Sequence, residues 1–409
     1  MNYNTKTLAS GLRIIHLPSA SPVVYCGFQI AAGTRDELPG EEGLAHFCEH
    51  MTFKGTERRN ALQVINALER LGGELNAYTN KESTVFYAAV EKEHVRVAVD
   101  LLSDMVFHSQ YPQAEMEREV EVICDEIESY NDSPAELIFD EFENILFKGH
   151  PLGHNILGRA EKLHTYTSAD LQRFAARHYR PANAVFFAYG DLDFHRLVTM
   201  VEKVVAVLPN NQETQDRQVV PTIPDYQAAH VVKNLGTHQA HVVIGTRAYA
   251  ANHPRRLVLY LLNNLLGGPS LNARLNLSLR ERNGLVYTVE SSMVVYGDTG
   301  VWTVYFGCDA HDVKRCNRLV RRELDKLMAR PLTPTALAAA KQQLKGQIAI
   351  ACDNREQFAL DFGKIFLFDA KEHHLDRLFS KIDAITAVEV QQVACELFAA
   401  DRLTTLVYK

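Results

Sequence analysis

One pattern is written twice along this chain. Thr167-Ser-Ala-Asp-Leu-Gln172 and Thr386-Ala-Val-Glu-Val-Gln391 match in residue type at an offset of 219. Each runs through a helical segment into a final strand, Asn183–Tyr189 in one case and Leu403–Tyr408 in the other. Upstream, Val85–Val90 leads into a helix around Val95, and Val301–Phe306 leads into one around Val313. The order is kept and the offset is nearly constant. A chain of 409 residues exceeds what one core serves, so the repeat reads as two copies of one α+β unit. Between the copies, Pro209–Gln218 is polar and lacks hydrophobic periodicity, and Pro221 and Pro224 follow. That is linker composition. The expected organisation is a first domain over residues 1–209, a linker over 210–228 and a second domain over 229–409.

Only the first copy carries His46-Phe-Cys-Glu-His50. On a helix, positions i and i+4 lie one above the other, so both imidazoles can hold one metal ion from one face. Glu49 lies on the same side and can reach a water on that metal. His-x-x-Glu-His is the reverse of His-Glu-x-x-His and reads as a zinc hydrolase centre. Cys48 is about 200° round the helix from His46 and reads as a core residue. In the second copy the matching positions are Asn264-Leu-Leu-Gly-Gly268, with no metal-binding pattern. One zinc ion per chain is expected, in the first domain.

Zinc needs a third protein ligand. Glu115–Glu128 is rich in helix formers and has neither Gly nor Pro. Within it Glu119 and Glu126 are two turns apart and share a face. The residues alone do not choose among Glu117, Glu119, Glu121, Glu126 and Glu128, most of which read as a solvated helix face. His150 and His154 have metal-pair spacing, but Pro151 and Gly153 disfavour a helix there, so both read as loop histidines.

Composition narrows the classes further. Hydrophobic content of 46% and charged content of 23% are ordinary for a soluble globular protein. The net charge is −7 with no long basic run, which argues against a nucleic-acid partner. No apolar run approaches the length of a membrane span. Met1–Gly11 has neither an apolar signal core nor the Arg-rich character of a transit peptide. Seven cysteines without paired spacing point to reduced thiols, and hence to a cytoplasmic location.

Several stretches resemble the pitrilysin (M16) family of zinc peptidases. They are Ala32-Gly-Thr-Arg-Asp-Glu37, then Gly43–Thr56 almost throughout, and His150-Pro-Leu-Gly153. The resemblance covers essentially the whole chain. It implies an α+β fold of two similar domains, each an antiparallel-rich sheet with helices packed on one face, together forming half of a clam-shell chamber. It also implies that the third ligand follows the second histidine by about 76 residues, which falls on Glu126, and that Glu119 orients the site. Leu279–Tyr287 resembles the family's Arg/Tyr element, which matches Arg280 and Tyr287, with Arg282 as the competing arginine. A tyrosine hydroxyl there donates to the oxyanion, and the arginine holds a peptide carbonyl or carboxylate. Asn76-Ala77, by residue type an ordinary edge strand after Gly72-Gly73, resembles the edge that pairs with the substrate backbone.

The function so implied is a zinc endopeptidase acting on unfolded oligopeptides, with Glu49 as general base and a homodimer closing the chamber. The catalytic subunit of a heterodimeric processing peptidase is an alternative. A non-catalytic structural or peptide-binding subunit is another, disfavoured because His46, Glu49, His50 and Glu126 are all present. Peptides are the expected partners, without nucleic acid or membrane.

Overall fold

The computed structural model of the chain describes residues 2–206 and 221–409. The chain divides into two compact units. Of the described residues, the first holds those within Met1–Glu128, His154–Thr222 and Ala351–His374; the second holds Ser129–Gly153, Ile223–Ile350 and Leu375–Lys409. The first half of the sequence contains β1 (Asn4–Thr7), β2 (Arg13–Pro18), β3 (Val23–Ile30), α1 (Leu44–Thr52), α2 (Ala61–Glu69), β4 (Glu74–Thr79) and β5 (Thr84–Glu91). It continues with α3 (Val95–His108), α4 (Gln113–Asn131), α5 (Pro134–Leu146), α6 (Ala160–Leu163), α7 (Ser168–His178), β6 (Ala184–Gly190) and α8 (Phe194–Val205). The second half contains β7 (His230–Lys233), β8 (Ala240–Ala248), α9 (Arg256–Gly267), β9 (Val286–Val295), β10 (Gly300–Cys308), α10 (Val313–Ala329) and α11 (Pro334–Ala351). It ends with α12 (Arg355–Asp369), α13 (Leu375–Ala384), α14 (Ala387–Leu397) and β11 (Thr404–Tyr408).

The duplication is visible strand by strand. The first sheet has the order β1-β2-β6-β3-β5-β4 and the second β7-β11-β8-β10-β9. Without β1 the two orders correspond. Each has one parallel pair, β2 with β6 and β7 with β11, and is otherwise antiparallel. The two segments that first disclosed the repeat start equivalent helices. Thr167 and Asp170 form a capping box at α7; Thr386 and Glu389 form one at α14. Each box satisfies helix N–H groups that would otherwise lack partners.

The α+β class is as expected, and both faces of each sheet are covered. In the first unit, Ile14, Cys26, Phe28, Phe86, Ala88 and Phe186 face a core built from α1, α2, α3, α4, α7 and α8. The alternate residues Ile15, Leu17, Val85, Tyr87, Val185 and Phe187 face the other way, onto Phe358, Phe362 and Phe366 of α12. In the second unit, Val243, Val301, Tyr305 and Leu406 pack on Ile138, Phe142 and Leu146 of α5. On its opposite face Trp302 is fully buried, with its ring 4.2 Å from that of Phe398.

The boundaries therefore differ from the contiguous domains 1–209 and 229–409. Helix α12, from the second half of the sequence, belongs to the first unit, and α5, from the first half, belongs to the second. The cause lies in the strands. All nine residues of β10 and nearly all of β6 are buried, and strands apolar on both sides need a cover on both sides. Of the expected linker, residues 210–220 lie outside the described residues; 221–229 carry no regular secondary structure. No helix among the described residues is long and apolar enough to cross a membrane.

Phe362 is fully buried and packs edge-on against Tyr3, Phe187 and Tyr189. Phe362→Ala is expected to cost about 3–5 kcal/mol of stability, the usual toll for an aromatic-sized cavity. Urea unfolding followed by far-UV circular dichroism measures it.

Candidate metal centre

Helix α1 starts at Gly43, whose backbone is left-handed with φ 85°. A Cβ at this position would lie 2.8 Å from the Cα of Gly158, so conformation and space both require glycine. Gly43 has no side chain to cap the helix. The buried carboxylate of Glu37 does so instead, accepting the N–H groups of Gly43 at 3.2 Å and Ala45 at 2.9 Å. A carboxylate here meets both the free N–H groups and the positive end of the helix dipole. Burial nonetheless pushes its pKa well up, against the pull of those two bonds.

Along α1, Leu44, Phe47, Cys48 and Met51 are fully buried in the core. That i, i+3, i+4, i+7 stripe sets the rotation of the helix. The opposite stripe is His46, Glu49 and His50, at i, i+3 and i+4. Helix α4 is anchored by Met116, Val120 and Ile123 in the same core and brings Glu119 and Glu126 alongside.

The Nε2 atoms of His46 and His50 lie 3.9 Å and 3.6 Å from Oε2 of Glu126. One donor atom from each of the three residues falls within 4.8 Å of the others, so the group could hold a metal ion. Tetrahedral zinc with bonds of about 2.0–2.1 Å sets its donors about 3.3 Å apart, which both histidine–Glu126 separations approach to within tenths of an ångström. Two imidazoles and one carboxylate are also a catalytic zinc donor set, with a fourth position left over. Among the described residues one other group assembles three such donors, Asp309, His311 and Asp312 in the second unit, and it is exposed or half-exposed.

The two imidazoles are tuned in opposite directions. Burial, and then the neighbouring His50, push His46 down to about 3, and its buried Nδ1 has no hydrogen-bond partner among the described residues. Burial also works against the charged form of His50, but the hydrogen bond to Glu119 and the carboxylates of Glu49, Glu126 and Glu119 outweigh it, and its pKa rises. Nδ1 of His50 lies 3.0 Å from Oε1 of Glu119. An ionised carboxylate only accepts, so Nδ1 carries the hydrogen and Nε2 keeps a lone pair for a metal. Glu119 is held in that form. Burial would raise its pKa, but His50 and the ammonium of Lys54, 2.5 Å from Oε2, draw it below the usual carboxylate range.

Glu49 is buried beside this group, and its Oε2 accepts a 2.6 Å hydrogen bond from Oγ1 of Thr79. Burial raises its pKa; Thr79 and His50 pull the other way, and Glu126 adds to the rise. Asn76 and Ala77 lie on β4, an edge strand paired only with β5, and Asn76 is exposed. The first unit thus brings together His46, Glu49, His50, Glu119 and Glu126, with Asn76 and Ala77 on the strand that ends at Thr79.

Arg280 and Tyr287 belong to the second unit. Arg280 sits on a π-helical turn, Asn276–Glu281, with its Nε 3.9 Å from Glu281; Tyr287 is the second residue of β9 and is 85% exposed. Helix α9, the counterpart of α1, carries buried Asn264 where α1 has His46, and its C-cap Gly268 stands where α1 has His50. His150 and His154 are not a helical pair, since a 3-10 turn, Pro151–Gly153, separates them.

Three contributors escaped sequence reasoning. Glu37 and Lys54 lie inside the stretches that carried the family resemblance, and Lys54 is one helical turn beyond His50, but neither had been assigned a task. Thr79 had no signal of its own.

A duplicated α+β fold, with a His/His/Glu group that could hold a metal in one copy and no such group at the matching positions Asn264–Gly268 of the other, defines a class of two-domain proteins with one candidate metal centre in the first domain. Residues 14–160 match the family described as Insulinase (Peptidase family M16), and residues 165–344 match the one described as Peptidase M16 inactive domain. The chain belongs to peptidase family M16. It is 31% identical over 403 residues to an uncharacterized zinc protease of Bacillus subtilis (strain 168), covering 98% of this chain and 97% of that one. It is 32% identical over 397 residues to an uncharacterized zinc protease of Streptomyces coelicolor, covering 95% and 85%. In fold it is similar to a protease from Helicobacter pylori, with a TM-score of 0.92, 22% identity and coverage of 100% and 99%. It is equally similar to a peptidase M16 inactive domain from Pseudomonas fluorescens, with a TM-score of 0.91, 19% identity and coverage of 100% and 98%.

Glu119→Gln keeps the shape of the carboxylate but not its charge. It is expected to weaken zinc binding by about ten- to a hundredfold. Competition with a chromogenic chelator reads the affinity, and an unchanged far-UV spectrum excludes misfolding.

Proposed function

We propose that this chain is a zinc-dependent endopeptidase with Glu49 as its general base. The observation that carries the reading is the convergence of His46, His50 and Glu126 on one point, with the buried carboxylate of Glu49 beside it. Bound in that group, zinc supplies Lewis acidity, which acidifies a water and polarises a carbonyl. Glu49 accepts the proton of the attacking water and returns it to the leaving amine. A carboxyl whose proton affinity is raised by burial suits both halves of that task. Glu119 keeps His50 in the ligating tautomer. The edge of β4 at Asn76 and Ala77 receives the peptide as an added strand, which reads main chain more than side chain and favours broad specificity. Tyr287 donates to the oxyanion, and Arg280 holds a substrate carbonyl or carboxylate.

The family resemblance supports a chamber closed by two chains, which restricts substrates to unfolded oligopeptides. In that arrangement zinc of one subunit works with Arg280 and Tyr287 of the other. Seven free cysteines support a cytoplasmic location.

Glu49→Gln is expected to keep zinc and to lose about 10²–10⁴-fold in cleavage of a quenched peptide library. Retained cleavage would remove Glu49 from the role of base. The assembly is tested by mixing Glu49→Gln and Tyr287→Phe chains. Exchange of subunits should restore cleavage, because one site of the mixed dimer then has every part intact. No recovery after verified exchange would rule out the arrangement across subunits.

A further inference from the structure

Thr79 is the last residue of β4, and its hydroxyl donates to Glu49 at 2.6 Å. The two residues are 8% and 7% exposed. An O–H to carboxylate bond of that length is charge-assisted, and largely shielded from solvent it is not readily exchanged for a bond to water. A hydroxyl has a single hydrogen, so this one is committed. Directly across the β4–β5 pairing stands Thr84, whose Oγ1 is 3.4 Å from that of Thr79 and donates to the carbonyl of Ala32 at 2.9 Å. Thr84 is paired in turn with Ile30 of β3. The Thr79 hydroxyl is therefore backed by an inner strand and aimed at one carboxylate oxygen. Among the described residues the other oxygen of Glu49 makes no hydrogen bond.

We propose that Thr79 is a positioning residue for the general base. It holds Oε2 of Glu49, so that Oε1 is the oxygen that faces the reacting water. This rests on the reading of Glu49 as base. Because Thr79 closes the strand that carries Asn76 and Ala77, the base is aligned by the same strand that receives the peptide. A purely structural Thr79 would be different. It would satisfy a buried carboxylate, and its loss would appear in folding or in zinc content and leave turnover per folded, loaded chain unchanged.

Thr79→Val keeps the shape and strand preference but removes the donor; Thr79→Ser keeps the donor. Zinc content, kcat and KM on the quenched peptides are measured for both, and crystal structures of both are solved. The valine chain should retain zinc and a KM within about twofold of the parent, and lose about ten- to a hundredfold in kcat. Its Glu49 carboxylate should be rotated out of place, and serine should restore both kcat and the carboxylate position. Parental kcat in the valine chain, a loss confined to KM or to zinc content, or an unmoved Glu49 would each overturn the proposal. Thr79→Ala replaces the valine variant if that chain does not fold. Inactivity of the parent would sink the reading of Glu49 as base. The position of Glu49 in the variant structures would still decide whether Thr79 sets it.

Discussion

Strands that are apolar on both faces dictate most of this molecule. A sheet whose central strands read Ala184-Val-Phe-Phe-Ala-Tyr-Gly190 or Gly300-Val-Trp-Thr-Val-Tyr-Phe-Gly-Cys308 cannot leave either side to water. Each therefore collects helices on both faces. In the first unit one face takes α1, α2, α3, α4, α7 and α8, and the other takes α12. The metal centre is a by-product of the crowded face. Helices α1 and α4 are fixed there by Leu44, Phe47, Met51, Met116, Val120 and Ile123, and what those residues leave on the outward stripes is His46, Glu49, His50, Glu119 and Glu126. Ligand geometry is thus set by apolar packing one residue away from each ligand.

Local periodicity made the metal helix legible, because His46, Glu49 and His50 need only the 3.6-residue repeat to share a face. The duplication was legible for a similar reason, since capping boxes at Thr167 and Thr386 are local chemistry. The choice of Glu126 among the acids of α4 was not legible from the residues, and it came through family likeness. Which carboxylate reaches the histidines depends on how α4 rotates against α1, a matter of tertiary packing. The exchange of α5 and α12 was hidden for the same reason. Nothing in Pro134–Leu146 or Arg355–Asp369 says which sheet the helix covers, and the expectation of helices on one face left no place for a second cover. Thr79 was invisible because its importance lies in one hydroxyl–carboxylate contact across 30 residues of sequence.

The electrostatics of the centre describe a site built around a cation. Three carboxylates, Glu49, Glu119 and Glu126, crowd two histidines, and Lys54 balances only Glu119. The consequences differ with depth. Burial keeps His46 neutral, so it enters ligation without losing a proton. His50 is pulled toward the charged form by the carboxylates around it, so a proton and a metal would compete for its Nε2. Glu49 feels Glu126 as a like charge, which adds to the rise that burial imposes. A divalent ion at the meeting point of His46, His50 and Glu126 would offset that repulsion. The same ion would favour the charged form of Glu49, against burial. Burial and such an ion would thus act on the Glu49 carboxyl in opposite directions.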